Sequence, residues 1–278
     1  MIWKKDKLKP VQPYLVIDKD DYIQKLSAHK DISHFYRFGE NEDSKSRIVP
    51  DGCIDLFFEY CKNGLKVHVC GTKIQYAESK LFSTSSIFGV RFMPGVLPPM
   101  VDAKIGELTG DICDFTDVSK GDNSWLDKMA QEDDFLKQIS VFEKAYARFD
   151  SKDEVYCGRE KIVKTTKELI YSTDGKIKIS EIEEKTGYSE RYINKVFSED
   201  MGFSPKTFCK IIQFQRCLEY LDYGAPGKMT DASVKLGFYD QSQFIKDFKK
   251  YAGITPKRYL DMVESIDYKD LMRKATVW

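Results

Sequence analysis

Two polar clusters in the last hundred residues carry side chains that can bind the edges of nucleic acid bases. Arg and Lys suit the O6 and N7 acceptors of guanine, while Asn and Gln suit N6 and N7 of adenine. The clusters are Arg191, Asn194 and Lys195, then Gln241, Ser242, Gln243 and Lys246. For any single one of these residues, an ordinary solvated position on a helix is an equal alternative, because most polar groups at such interfaces do not specify sequence.

A second set of residues is placed to bind phosphate. Lys206 lies near the start of one predicted helix, and Lys257 and Arg258 lie near the start of another. Ser189 is a predicted helix cap, and the amides of a capped helix N-terminus are themselves an anion site. Together the two sets have the side-chain types that contact the bases and phosphates of nucleic acids.

The elements that must position these residues are two copies of one pattern. The first copy runs Gly187-Tyr188-Ser189, Phe197, then Gly202-Phe203-Ser204-Pro205. The second runs Gly237-Phe238-Tyr239, Phe248, then Gly253-Ile254-Thr255-Pro256. The leading glycines are 237 − 187 = 50 positions apart and the prolines 256 − 205 = 51. A repeat at this period predicts two copies of one structural unit.

Each copy predicts a short helix, a tight turn and a second helix. In the first, Ser180 and Glu183 form a predicted capping box, and Gly187 ends the helix that it opens. Ser189 caps a helix over Glu190 to about Glu199, and Ser204-Pro205 starts the next one. The second copy repeats this with a helix over Thr230–Leu236, a turn at Gly237-Phe238, a helix from about Asp240 to Tyr251 and a start at Thr255-Pro256. This arrangement is typical of a helix-turn-helix.

A long helix is predicted between the two copies. An apolar stripe runs from Thr207 to Tyr223 without Pro or Gly, and it contains Phe208, Ile211, Ile212, Leu218 and Leu221. A rigid connector of this kind would allow both second helices to enter successive major grooves, about 34 Å apart.

Residues 159–262 resemble the paired helix-turn-helix domain of the AraC/XylS family of transcription regulators. The resemblance is carried by the repeated motifs quoted above and by the run Gly237-Phe238-Tyr239-Asp240-Gln241-Ser242-Gln243-Phe244, with Tyr259 beyond it. In that family the exposed face of each second helix reads bases. The resemblance therefore implies that the first cluster of polar residues enters one major groove and the second cluster the next.

Residues 1–120 predict a mainly β domain of barrel or sandwich type with helices, so the whole chain is predicted to be α+β with two domains. Strands are expected over Ile54–Tyr60, Leu65–Cys70 and Ser86–Phe92, with a hairpin turn at Asn63-Gly64. Helical pieces are expected at about Val96–Val101 and at Ile105–Leu108. The motifs 49–56 and 89–95 resemble an uncharacterised domain found in front of some AraC-type DNA-binding domains.

Asp51, Asp55 and Arg91 are the charged residues inside those N-terminal motifs. They are either structural, with Asp51-Gly52 in a turn and Asp55 paired to Arg91, or contacts for an effector. The structural interpretation is favoured because buried charges in proteins are usually paired.

Residues 121–158 predict a helical connector. Phe135, Ile139, Phe142, Tyr146 and Phe149 form a narrow apolar seam. The seam is either a dimerisation surface or a face packed on the β domain of the same chain, and the second is favoured because only two heptads are present. A hinge is expected at Ser151-Lys152-Asp153, and residues 263–278 are expected to be a C-terminal tail.

Charge is unevenly distributed along a chain of zero net charge. From Arg159 onward there are 22 Lys+Arg and 18 Asp+Glu, a net of +4, so the remainder carries 22 − 26 = −4. Seven scattered cysteines without Cys-x-x-Cys predict reduced thiols and no metal site. No cofactor, leader peptide or membrane association is expected, which suggests a cytoplasmic, bacterial protein.

Three classes of function stay open from the sequence. The first is a sequence-specific DNA-binding transcription regulator whose N-terminal domain responds to a small-molecule effector. The second is a regulator without ligand, whose N-terminal domain serves only assembly, for example as a homodimer. The third, an enzyme targeted to DNA, is disfavoured because no metal set, nucleophile elbow or phosphate loop occurs. For a regulator, the transcription machinery is an implied partner.

Overall fold

The computed structural model describes residues 9–39, 46–79, 86–149, 158–223 and 241–278. The N-terminal part is built on antiparallel strands, as the alternating apolar pattern predicts. These are β1 Asp20–Leu26, β2 Ile32–Gly39, β3 Ser46–Ile48, β4 Asp55–Cys61, β5 Gly64–Cys70, β6 Ala77–Ser79, β7 Ser86–Phe92 and β8 Ile112–Asp114.

Short helices decorate this part, and longer helices make up the rest of the chain. The helices are α1 Pro13–Asp18, α2 Ile105–Leu108, α3 Phe115–Val118, α4 Trp125–Ala130, α5 Phe135–Phe149, α6 Gly158–Ser172, α7 Ile179–Thr186, α8 Glu190–Met201, α9 Pro205–Tyr223, α10 Gln241–Ala252, α11 Pro256–Ser265 and α12 Tyr268–Ala275. The α+β fold class with a β-rich N-terminal part and a helical C-terminal part is confirmed.

Six strands form one sheet in the order β1-β2-β7-β4-β5-β8, and β3 pairs with β6 separately. The predicted strands at 54–60, 65–70 and 86–92 are confirmed as β4, β5 and β7. The hairpin is also confirmed, since Cys61 pairs with Gly64 across a two-residue turn and Gly64 has a φ of 114°. Its positive φ explains why glycine stands at this position.

One predicted helix is wrong. Residues 96–101 form turns, with the amide of Val96 donating to Met93 O and that of Val101 to Pro98 O, and an isolated bridge joins Val101 to Ser119. Pro98 and Pro99 lack the amide protons that a helix would need, so the apolar run alone gave a misleading signal. The predicted helix at Ile105–Leu108 is confirmed.

The apolar seam of α5 packs on the sheet of its own chain. Phe142 lies at ring-centroid distances of 6.0 Å from Phe35, 6.1 Å from Phe58 and 6.0 Å from Trp125. Phe135, Ile139, Phe142 and Tyr146 are all buried. The favoured interpretation of the seam is therefore confirmed, because these side chains are already covered within the chain. The expected hinge at Ser151-Lys152-Asp153 lies outside the described residues.

The three charged residues of the N-terminal motifs form one buried network. Arg91 donates from Nε and Nη2 to the two oxygens of Asp55, both at 2.9 Å, and its Nη1 lies 3.3 Å from Asp51 Oδ2. Tyr36 Oη donates to Asp55, and Gln12 Nε2 donates to Asp51. This confirms the structural interpretation of Asp55 and Arg91, since their hydrogen-bonding capacity is used inside the fold.

No helix in the described ranges is long and apolar enough to cross a membrane. The cysteines that the structure describes are free thiols, and Cys209 and Cys217 are buried in α9, where they pack as small apolar side chains.

Candidate nucleic-acid interface

The first helix-turn-helix unit, which we define as α6 to α8, has the predicted turn. α7 ends at Gly187, whose φ is 74° and whose amide donates to Glu183 O at 2.8 Å. Two residues later Ser189 caps α8, accepting a hydrogen bond from Tyr192 N. A left-handed glycine followed at once by a new cap is what turns the chain sharply between the two helices.

The predicted capping box at Ser180 and Glu183 is wrong. α7 begins at Ile179, and its N-cap is the extended residue Lys178, whose carbonyl accepts from the amides of Glu181 and Ile182. Ser180 therefore lies inside the first turn, where it is exposed. This start buries Ile182 completely, and burial of that side chain stabilises the helix in place of a side-chain cap.

α8 has one buried face and one exposed face. Ile193, Val196, Phe197 and Met201 are buried, which extends the helix two residues beyond the predicted end. Arg191 and Lys195 are exposed, while Asn194 is half-buried and donates to Glu190 O at 2.9 Å. The structure therefore brings the first predicted cluster together on the open side of one helix.

The predicted connector is confirmed as α9, a helix of 19 residues and about 28 Å. Ser204 Oγ accepts from the amide of Thr207, so this serine caps the helix as expected. Lys206 is exposed in the first turn. The helix contacts both units, with Phe208 in the apolar cluster of the first and Phe214 in that of the second.

The second unit, defined by its described helices α10 and α11, repeats this polarity. Gln241, Ser242 and Gln243 form the exposed first turn of α10, and Lys246 is exposed one turn later. Phe244 and Phe248 are buried on the opposite side. The second predicted cluster therefore also lies on one open helix face. The predicted helix at 230–236, the turn at 237–238 and the predicted start at Asp240 lie outside the described residues.

A hydrogen bond occupies one of the candidate base-reading groups. Gln243 Nε2 donates to Asp247 Oδ1 at 2.8 Å, and the other oxygen of Asp247 lies 3.4 Å from Lys210 Nζ. This bond uses one of the two N–H donors of the Gln243 amide and orients the side chain along α10.

The candidate phosphate contacts lie at helix starts. Thr255 caps α11 and accepts from Arg258 N, and both Lys257 and Arg258 are exposed in its first turn. The partial positive charge of the helix N-terminus and the charges of Lys257 and Arg258 together create a positive potential at this position.

Two aromatic residues in this surface were missed from the sequence. Tyr188 and Tyr192 are 44% and 39% exposed, and their ring centroids are 5.8 Å apart. They flank the Ser189 cap, next to Arg191 and Lys195. The signal was present as two tyrosines on either side of the Ser189 cap.

Both second helices are anchored to the N-terminal part by their C-terminal ends. Thr109 Oγ1 donates to Met201 O at the end of α8, and Tyr14 Oη donates to Ala252 O at the end of α10. The N-terminal turns, which carry the candidate base contacts, remain open. This is the orientation in which helix-turn-helix proteins present their second helix to the major groove.

Two family models match separate parts of the chain. One is described as a helix-turn-helix domain and matches residues 182–262, and the other is a domain of unknown function (DUF6597) that matches residues 25–114.

Curated relatives match limited stretches of the chain. An uncharacterised HTH-type transcriptional regulator of Staphylococcus aureus is 29% identical over 83 residues, which is 30% of this chain and 11% of the relative. The Msm operon regulatory protein of Streptococcus mutans is 26% identical over 104 residues, 37% of each chain. The matches thus span well under half the length of these relatives.

Two solved structures are also similar to the chain. ToxT from Vibrio cholerae aligns over 84% of this chain and 99% of its own, with 13% identity and a TM-score of 0.46. A probable AraC family transcriptional regulator from Rhodopseudomonas palustris aligns over 37% of this chain and 96% of its own, with 29% identity and a TM-score of 0.35.

The fold and the matching family model place α8 and α10 in a helix-turn-helix domain. The repeated unit lies in the region that the helix-turn-helix model matches, and much of the N-terminal part lies in the region that DUF6597 matches, so both matches support the resemblance to AraC/XylS regulators seen in the sequence.

Proposed function

We propose that this protein binds duplex DNA through the N-terminal turns of α8 and α10 and thereby regulates transcription. The observation that carries the proposal is the shared polarity of the two helices. Each buries its apolar face, is held at its C-terminal end by the N-terminal domain, and leaves its polar N-terminal turn exposed. The rigid α9 connects the two units, as reading of successive major grooves requires.

The proposed base contacts are Arg191, Asn194 and Lys195 in one groove, and Gln241, Ser242, Gln243 and Lys246 in the next. The proposed phosphate contacts are Lys206, Lys257, Arg258 and the Ser189 cap. We add Tyr188 and Tyr192 to the first set, because an exposed aromatic ring there can pack on a thymine methyl group or on the sugars. In this division, the contacts from the helix faces determine which DNA sequence is bound, and the phosphate contacts at the helix starts supply most of the affinity.

The N-terminal domain, taken as residues 1–120 with 121–158 as its connection to a DNA-binding domain at 159–262, is proposed to be regulatory and not catalytic. Its buried Arg91 network is engaged within the fold, which favours a structural role. A small-molecule effector, a homodimer and contact with the transcription machinery in the cytoplasm are the proposed means of control. An effector acts here only if it binds one arrangement of the two domains more tightly than another.

The test is a charge reversal on both helix faces, Lys195→Glu with Lys246→Glu. The probe is a labelled pool of random-sequence duplexes of about 30 base pairs, long enough for two adjacent major grooves. We expect affinity to fall at least about tenfold and the slope of log affinity against log salt to become less negative by about 2.

The matched control is Lys120→Glu with Lys144→Glu, which makes the same charge change at exposed positions of the N-terminal part. If both double variants lose the same affinity, only the net charge matters and the proposed faces are wrong.

A further inference from the structure

Two turns of the N-terminal part face the helical part of the chain. They comprise residues 50–52 and 93–95, and we call them the docking turns. The amide of Gly95 donates to Gly52 O at 2.7 Å, so the two turns form one continuous surface. Both turns belong to the sequence motifs that resemble the uncharacterised N-terminal domain, and both lie in the region that its family model matches.

The helix α6 binds this surface through two side-chain donors. Lys167 Nζ donates to Gly95 O at 2.6 Å, and Tyr171 Oη donates to Pro94 O at 2.5 Å. Pro94 and Gly95 are buried, so their carbonyl groups depend on these donors for hydrogen bonds across the contact. Because such bonds are directional, they fix where α6 lies on the docking turns.

The helix α9 contacts the same surface. The fully buried Gln215 donates from Nε2 to Pro50 O at 2.9 Å. Phe208 packs on both turns, since a Cβ at Gly52 would lie 3.0 Å from its Cε2 and a Cβ at Gly95 3.6 Å from its Cζ. The absence of a Cβ at these two glycines thus leaves the space that the Phe208 ring fills.

The buried charge network lies directly behind the docking turns. Asp51 is in the first turn, and its Oδ1 accepts from Cys53 N at 2.8 Å. Arg91, two residues before the second turn, has its Nη1 3.3 Å from Asp51 Oδ2 and is held on its other side by Asp55. The network therefore ties the two turns together and maintains the surface that α6 and α9 contact.

We propose that the docking turns are the surface on which the N-terminal domain holds its own DNA-binding domain, and that Lys167, Tyr171 and Gln215 are positioning residues for DNA binding. The same N-terminal part holds α10, through the bond from Tyr14 Oη to Ala252 O. It is therefore a common support that keeps α8 and α10 at a fixed angle. The positioning role rests on the proposed function, whereas the docking role does not.

The test variant is Lys167→Met with Tyr171→Phe in the full chain. It removes both donors of α6 and keeps the apolar parts of the two side chains. Neither residue is among the proposed DNA contacts.

The matched control is Lys73→Met with Tyr60→Phe. Lys73 Nζ donates to Gly110 O and Tyr60 Oη donates to Met129 O, so this variant removes the same two kinds of bond inside the N-terminal part. The side chains changed in both variants are half-buried, which makes the losses comparable.

Hydrogen exchange of the full chain, measured by mass spectrometry, tests the docking. Loss of the two bonds lets the first unit separate from the docking turns more often. We therefore expect the backbone amides of α6 and of the first turns of α9 to exchange roughly tenfold faster in the test variant and no faster in the control. Unchanged exchange in the test variant would overturn the inference.

DNA binding tests the positioning role. The probes are labelled random-sequence duplexes of about 30 base pairs, which offer two adjacent major grooves, and of about 12 base pairs, which offer one. When the angle between α8 and α10 is no longer fixed, the second contact loses effective concentration. We expect the test variant to bind the longer duplexes about fivefold more weakly and the shorter ones as before, and the control to change neither.

Unchanged affinity for the longer duplexes would overturn the positioning role. An equal loss on both lengths would also overturn it, because the two residues would then only stabilise the fold of the first unit.

A steric variant checks the docking surface without removing a donor. Gly95 has a φ of 70°, and a Cβ there would lie 2.8 Å from Lys167 Cδ and 3.1 Å from Met201 Cε. Gly110 has a φ of 89°, and a Cβ there meets nothing within 4 Å among the described residues. We expect Gly95→Ala to accelerate exchange in α6 and Gly110→Ala, which has a similar backbone cost, to leave it unchanged. Equal exchange in α6 for both variants would contradict the docking surface.

Failure of this inference can be separated from failure of the proposed function. If the unaltered chain binds neither duplex, the proposed function and the positioning role are both wrong, and the exchange data alone decide whether the turns dock the helical part. If the chain binds the longer duplexes but the test variant behaves as the control does, the proposed function stands and the inference is wrong.

Discussion

The two helix-turn-helix units are attached to the N-terminal part by different kinds of contact. The first unit shares one apolar cluster with the sheet, which runs from Phe92 through Phe142 and Tyr146 to Ile193 and Phe197. The second unit belongs to a separate cluster, in which Tyr14, Val16 and Val49 meet the helices α10 and α11. The first unit thus shares the main hydrophobic core with the sheet, whereas the second unit packs in a separate core.

The difference extends to the polar contacts. Around the first unit, Lys167 Nζ donates to Gly95 O at 2.6 Å, and Tyr171 Oη donates to Pro94 O. Around the second, the anchoring bonds come from Tyr14 and from the backbone amide of Tyr76, which donates to Lys250 O at 3.4 Å. Because unfolding free energies follow buried apolar contacts, we expect the second unit to open more readily than the first.

The largest expected effect comes from Phe208→Ala on α9. Phe208 is fully buried, and its ring contacts those of Tyr171, Phe197 and Phe203. Removing a buried Phe side chain leaves a cavity and costs about 4 kcal/mol of unfolding free energy. Since this cluster includes the sheet, we expect the main unfolding transition to shift, measured by denaturant titration with far-UV circular dichroism.

The matched variant is Phe214→Ala, six residues along the same helix and 2% exposed in the second cluster. We expect a similar loss of unfolding free energy. It should affect only the unfolding of the second unit, in a separate transition at lower denaturant concentration. If both variants shift one common transition equally, the two units unfold together and the comparison is wrong.

A pH dependence is the next effect in size, and it concerns the second unit. Asp222 is buried at the end of α9 and accepts from Tyr259 Oη at 2.6 Å. Burial raises its pKa to about 7; the bond from Tyr259 opposes this and nearby Glu219 adds to it. The folded chain therefore holds a proton that the unfolded chain releases near pH 4, so stability is full at low pH and falls as pH rises to 7 and above.

This predicts a loss on the order of 3 kcal/mol between pH 4 and pH 8 that Asp222→Asn removes. Asp261→Asn, at an exposed position of α11, is the control and should leave the slope unchanged. Chemical unfolding at four or five pH values measures both. An identical pH dependence in Asp222→Asn and the unaltered chain would show that Asp222 is ionised in the folded state.

Local signals in the sequence were enough to predict most of the helical domain. Gly187, Ser189 and the Ser204-Pro205 pair each fix a turn or a helix start through their own chemistry, and the structure has them in those roles. The Asp55 and Arg91 pair was predictable for a similar reason, because a buried charge needs a partner.

What the sequence could not predict depends on contacts between distant segments. The end of α12 is attached to β1 by the hydrogen bond from Gln24 to Thr276, two residues that are 252 positions apart in the sequence. The failure at Ser180 has the same origin, because burial of Ile182 and not a capping motif decided where α7 begins.

The smallest expected effects come from three glycines that share one backbone conformation and differ in their surroundings. Gly187, Gly202 and Gly253 have φ angles of 74°, 75° and 76°. An alanine at any of them costs about 1 kcal/mol for the left-handed backbone alone. Within the described part of the chain, a Cβ at Gly187 meets nothing within 4 Å, so Gly187→Ala measures this cost by itself.

The other two glycines end α8 and α10, where each unit touches the N-terminal part. A Cβ at Gly202 would lie 2.7 Å from the Cα of Gly106, and a Cβ at Gly253 would lie 2.7 Å from the ring of Tyr76. The first neighbour is backbone within the continuous core, whereas the second is a half-buried side chain that can move. We therefore expect the unfolding free energy to fall by about 2 kcal/mol in Gly202→Ala and by less in Gly253→Ala. The loss in Gly187→Ala is expected to be the smallest of the three. Equal losses at Gly202 and Gly253 would mean that the two units are held with the same rigidity, and the second unit would then not be the one that opens first.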